Sequence, residues 1–135
     1  MTISTISAAD FTQLLTSSEI LPILDIRSEL EYENMRLGCP VIHTPMHNVT
    51  PDIERNMEQP LFILCKMGPR AKQIALCLAE NGHENLVVID GGILGCRASS
   101  APIIEQDPPA DDDDIADAVQ QSVRQFMMRP SLTMS

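Results

Sequence analysis

The residues best equipped for chemistry stand in "LCKMGPR", residues 64–70, where a thiol, a glycine and two cations follow an apolar run. Cys65 comes directly after "LFIL", which reads as a strand over 61–64, and before a segment of helical periodicity over 69–81. A side chain at the carboxyl end of a parallel strand, just ahead of a helix, sits where open α/β sheets hold their ligands. If Lys66, Met67 and Gly68 curl around it, their N–H groups and the helix start converge on the sulfur and favour its anionic, nucleophilic form. Gly68 suits the positive φ that such a turn often demands. Pro69 removes one donor but fits the first helical position. Lys66, Arg70 and Lys72 place three cations in eight residues that contain no acid. Screening over roughly 8 Å makes this local patch matter more to an arriving anion than the total charge does.

A lone cysteine at a strand end is commonly a small core residue. The surrounding glycine and cations move Cys65 to the role of nucleophile. Cys77, among Ile74, Ala75 and Leu78, reads as core, and Cys39 and Cys96 lack comparable cationic neighbours and read as structural. His43, His47 and His83 show no ligand spacing, so neither a metal nor a cofactor is expected.

These residues need elements to hold them. Ser7 caps a helix over 8–16; "EILPILDIR" is a strand buried on both faces; Ser28 precedes a short helix in "SELEYENM"; "VIHTP" is a second short strand; and Thr50 with Pro51 opens a further helix. Gly82 closes the helix after Cys65, and "NLVVIDGG" is a strand that runs into a glycine pair. The alternation of strand and helix signals predicts an α/β fold around a mostly parallel sheet. At 135 residues one core is expected, and residues 1–104 are assigned to it. Residues 105–135 form an acidic linker and an amphipathic helical tail capped by Asp114, with Ile115, Val119, Val123 and Phe126 on one face. That face would dock on its own domain, pair with a second copy in a homodimer, or stay unfolded.

Nineteen acids against nine bases give a formal charge of −10, which opposes nucleic acid and anionic membranes as partners. The longest apolar run, "LFILC", is far short of the roughly 20 residues that span a bilayer. Four scattered cysteines without a C-x-x-C pair or a preceding signal peptide fit a reduced, cytoplasmic setting.

Three motifs in order carry a family resemblance. "LDIRSELEY", with Asp25, Arg27, Glu31 and Tyr32, resembles the early strand and acidic stretch of rhodanese domains; "CKMGPR" resembles their active-site loop C-x-x-G-x-R; "NLVVIDGGILGC" resembles their closing strand and glycine turn at Gly91 and Gly92. The resemblance covers residues 5–100. It implies a rhodanese-like five-stranded sheet flanked by helices on both faces, and a sulfurtransferase whose Cys65 takes sulfur from a small donor such as thiosulfate. The resulting persulfide passes its sulfur to cyanide or to a thiol or protein acceptor. In that scheme Lys66 and Arg70 orient an anionic donor, Asp25 and Arg27 brace the fold by ion pairing, and Gly91 and Gly92 make a backbone turn beside the site. Departures are "MRLGCPVIHTPM", which lacks the family's histidine before the second strand, and Cys96 where the family frequently has tryptophan. An inactive partner-binding module is the alternative. A phosphatase or arsenate reductase is a weaker one, because four residues rather than five separate Cys65 from Arg70.

Overall fold

The structure, a computed structural model, describes residues 3–17, 20–52 and 60–129. In chain order the elements are β1 (Ile3–Ser7), α1 (Ala8–Leu15), β2 (Ile23–Asp25), α2 (Glu29–Asn34), β3 (Met35–Leu37), β4 (Ile42–His43), a 3-10 turn (Met46–Asn48), β5 (Leu61–Leu64), α3 (Pro69–Glu80), β6 (Leu86–Asp90), α4 (Gly92–Ala98), β7 (Ile103–Glu105) and α5 (Asp112–Met127). The helix expected to open at Thr50 falls for the most part on residues outside those described.

β1, β6, β5, β2 and β4 lie in that order in one sheet, and every pairing between them is parallel. β5 is therefore the central strand, and its four residues are all buried, as a parallel strand covered on both faces requires. Alternation along it divides two cores. Leu61, Ile63 and Cys65 join Ala71, Ile74 and Leu78 of α3 and Phe126 of α5 on one face, while Phe62 and Leu64 join Phe11 of α1 and Ile93 and Cys96 of α4 on the other. Helices thus cover both faces of a five-stranded parallel sheet.

Local signals account for several boundaries. Ser7 accepts from Asp10 N–H at the start of α1, and Ser28 and Glu31 form a reciprocal capping box on α2. Pro69 takes the first turn of α3. Tail helix α5 is capped by Asp111, three residues before the expected Asp114. Sequence reasoning missed β1, α4 and the small antiparallel pair β3 and β7. "ISTIS", with three of five residues exposed, carries little strand patterning; it is drawn into the sheet by pairing with β6 from Ile3 to Ser7.

The compositional change at residue 105 falls inside β7, and the segment that follows folds back on the domain. Asn34 holds both ends of this crossing: its carbonyl accepts from Gln106 N–H at 2.8 Å and its Oδ1 from Ala110 N–H at 2.6 Å. α5 then packs on the 3-10 turn through Phe126, a His47 Nδ1 to Ser122 Oγ bond at 2.9 Å, and an Arg129 Nη1 donation to His47 O at 2.8 Å. Of the three fates open to the apolar tail face, the chain adopts docking on its own domain.

Candidate active site

The parallel sheet brings the carboxyl ends of β2, β5 and β6 together, and the loops that leave them build the site. Cys65 continues the pleat of β5, so its sulfur points to the α3 face. There it accepts hydrogen bonds from Gly68 N–H at 3.0 Å and Ala71 N–H at 3.4 Å. The expected convergence of amides is present in reduced form. Those of Gly68 and the first turn of α3 reach the sulfur, whereas Lys66 and Met67 donate nothing to it. Pro69 costs the nest little, because the helix-start donor is Ala71 and Pro69 occupies a position whose N–H a helix leaves unpaired.

The loop carbonyls take the opposite direction. Cys65 O accepts from Ile93 N–H at 2.9 Å, Lys66 O from Leu94 N–H at 3.2 Å, and Met67 O from Gly91 N–H at 3.0 Å. Orphan amides at the start of α4 are thereby satisfied by the cysteine loop instead of by a capping side chain. Amides facing the sulfur and carbonyls facing α4 are two sides of one backbone conformation, which needs φ of +135° at Gly68 and +57° at Gly92.

Arg70 is engaged by a residue of α2. Its Nη1 and Nη2 fork onto Glu31 Oε1 and Oε2, both at 2.8 Å, and this pair is largely buried. A guanidinium committed edge-on to a carboxylate has its best donors occupied, so the donor-orienting role expected of Arg70 starts from a group already engaged with Glu31. Burial works against the Arg70 charge, yet Glu31 and then Cys65 and Asp25 outweigh it and its pKa is raised. Asp25 and Arg27 pair as expected, Nη2 to Oδ2 at 2.8 Å with Nε to Oδ1 at 2.9 Å, and both are buried. Lys66 and Met67 are exposed, so of the two loop cations expected at the mouth only Lys66 is free to meet an anion.

Burial alone would raise the Glu31 carboxyl, but Arg70 and the Ser28 donors prevail and its pKa lies below the usual 4.5. A carboxyl depressed in the folded chain stabilises it fully above the unfolded value, and that contribution is lost as pH falls through the folded value. Thermal denaturation of the native chain and of Glu31→Gln should therefore show Tm values that differ most near neutrality and converge as pH drops below about 4.5. A constant gap down to strong acid would exclude this titration as the source.

Other predicted residues fall away from the sulfur. Cys96 packs in the opposite core, where burial pushes its thiol up to about 11 against a hydrogen bond with Thr12. It therefore cannot partner Cys65 across the sheet. His43 stacks on Tyr32 at 4.2 Å and bonds Arg27 O at 2.8 Å, and His83 bonds Pro51 O. No group of three His, Cys, Asp or Glu able to hold a metal occurs among the described residues.

One departure from expectation concerns access. Cys65 is only 1 % exposed. Beside its loop lies a cleft of about 330 Å³ reached by Lys66, Glu31 and Ile93 on one side and by Asp112 and Ile115 of the tail on the other.

Parallel α/β architecture with a cysteine at the end of its central strand, sulfur cradled by strand-to-helix amides, defines a cysteine-loop α/β domain. The chain belongs to the Rhodanese-like domain family, whose family model matches residues 7–99. It is 30% identical over 89 residues to the Bacillus subtilis "Putative sulfur carrier protein YrkF", a match that takes in 65% of this chain and 48% of that protein, so the chain spans about half the length of this curated relative. Among solved structures it resembles the rhodanese-like domain of an Anabaena protein, with a TM-score of 0.63 and 18% identity over 80% of this chain and 87% of that one. It also resembles a thiosulfate sulfurtransferase from Pseudomonas aeruginosa, with a TM-score of 0.61 and 19% identity over 76% of this chain and 20% of that one. At such identities the structural likeness speaks to fold. No helix among the described residues is long and apolar enough to cross a membrane.

Proposed function

We propose that this rhodanese-family chain is a sulfurtransferase that carries sulfane sulfur as a persulfide on Cys65. The observation that carries the reading is the pair of amides, Gly68 and Ala71, that donate to Sγ. Such donors stabilise a sulfur that is anionic before attack and again when it leaves. In the first half-reaction the Cys65 thiolate attacks the outer sulfur of a donor such as thiosulfate; the new S–S bond forms as the donor's S–S bond breaks, and sulfite departs with the electron pair. In the second, a thiol or cyanide attacks the outer persulfide sulfur and the Cys65 thiolate returns. This is double-displacement covalent catalysis. Lys66, free at the loop rim, draws the anionic donor. Because Cys65 is closed from bulk water at rest, loading requires the loop or its cover to give way.

Phosphate chemistry fits less well, since Arg70 is spent on Glu31 and the loop presents two amides to the sulfur. Intact mass after incubation with thiosulfate tests the proposal. The native chain should gain one sulfur that reductant removes, and Cys65→Ala should gain none. Loading of the alanine variant to the same extent, or none in either, would reject Cys65 as carrier; a partner-binding role would then be the reading to pursue.

A further inference from the structure

The cleft beside Lys66 has a charge arrangement that the sulfur-transfer reading uses only at Lys66. Six charged residues line it, and four are committed to buried or surface ion pairs: Arg27 to Asp25, Glu31 to Arg70, and Arg97 with Glu105 to each other at 3.2 Å. Lys66 and Asp112 remain, one of each sign, and neither charged side chain has a hydrogen-bonding or ionic partner among the described residues. Asp112 is held at this wall by the fold. Asn34 fixes Ala110 two residues earlier, and Asp111 caps α5 immediately before it. Apolar side chains of Ile93 and Ile115 complete the cleft, whose volume of about 330 Å³ is at the small end of ligand sites.

We propose that this cleft seats a small zwitterionic thiol of the amino-acid type, with Lys66 taking its carboxylate and Asp112 its ammonium, so that the tail selects the sulfur acceptor. The proposal rests on the persulfide reading of Cys65. A ligand with one charge of each sign matches both free groups, whereas a simple anion meets Asp112 as a repulsive neighbour and a simple amine meets Lys66 the same way. The transfer balances without an external oxidant or reductant. The acceptor thiol gives its proton to water, its sulfur bonds the outer persulfide sulfur, and the bond to Cys65 Sγ breaks with its electron pair left on Sγ.

The test compares cysteine, cysteamine and 3-mercaptopropionate as acceptors for the native chain, Asp112→Asn and Asp113→Asn, because ratios between variants cancel the intrinsic reactivity of each thiol. Asp113 neighbours Asp112 in the same acidic turn but does not line the cleft. Asp112→Asn should lower kcat/KM about tenfold for cysteine and cysteamine, the loss of one hydrogen bond to a charged group, and leave 3-mercaptopropionate unchanged or faster. Asp113→Asn should leave all three unchanged. Equal effects of the two variants, or no effect of Asp112→Asn on cysteine, would overturn the proposal and leave persulfide chemistry standing. An NMR titration with unreactive S-methylcysteine gives a readout independent of turnover: the Lys66 and Asp112 amides should shift in the native chain and not in Asp112→Asn. Absence of those shifts in the native chain sinks the site even if sulfur loads on Cys65; absence of loading by intact mass sinks the reading beneath it.

Discussion

Gly92→Ala should abolish sulfur loading on Cys65 and destabilise the chain by about 3–5 kcal/mol, the sum of a left-handed alanine and a backbone overlap. A Cβ at this position would stand 2.5 Å from the Cys65 carbonyl oxygen and overlap the Lys66 carbonyl, and φ is +57°. Neither obstacle is a side chain that can swing away. The Lys66 and Cys65 carbonyls must shift, and they are the groups bonded to Leu94 and Ile93 N–H. Moving them displaces the loop that leads directly into Gly68, whose N–H meets the sulfur, so function should fail along with stability. Denaturant unfolding and intact-mass loading measure the two effects. A Gly92→Ala chain that loads sulfur at the native rate would show that the contact of loop and α4 does not set the nest. By contrast, Gly82, with φ of +93° and nothing near its absent Cβ, offers a comparison position where alanine incurs only the conformational cost.

Removal of the Glu31 carboxylate is the second large effect. Glu31→Ala should cost about 3–5 kcal/mol, as expected when a buried ion pair loses one member. The substitution strands the Arg70 guanidinium, whose side chain is 13% exposed, and also breaks the capping box with Ser28. Arg70→Met, which removes the other charge but keeps much of the packing, should strand Glu31 instead; the carboxylate can then recover by protonation, so its loss of stability should shrink toward acid pH. The double variant Glu31→Ala with Arg70→Met should be less destabilised than the sum of the singles, because neither leaves a partner unpaired. Urea unfolding of the four chains reads the coupling. Additive losses would mean that the fork contributes nothing beyond the two side chains separately.

The pair also shows where sequence reasoning reached its limit. Thirty-nine positions separate Glu31 from Arg70, and nothing in "SELEYENM" or "CKMGPR" signals that they meet. Both loops leave the carboxyl ends of adjacent parallel strands, β2 and β5, and only that adjacency brings the fork together. Asp25 and Arg27, two residues apart, were legible as a pair because their contact is local. The same distinction separates α2, whose capping box is written in four consecutive positions, from β1, whose strand state depends on a partner 83 positions away at Leu86.

By itself the sequence determined the α/β alternation, the central apolar strand ending in Cys65, the glycine that lets the loop invert, and the acidic amphipathic tail. These follow from short-range periodicity, caps and turns, which are energetically local. Tertiary structure alone decided that Arg70 serves Glu31, that the first amides of α4 anchor the loop carbonyls, that Cys96 lies across the sheet from Cys65, and that the tail returns to place Asp112 at the cleft. Each of these depends on which strand ends and helix faces become neighbours, and long-range packing and unsatisfied backbone groups select that arrangement once the chain is compact.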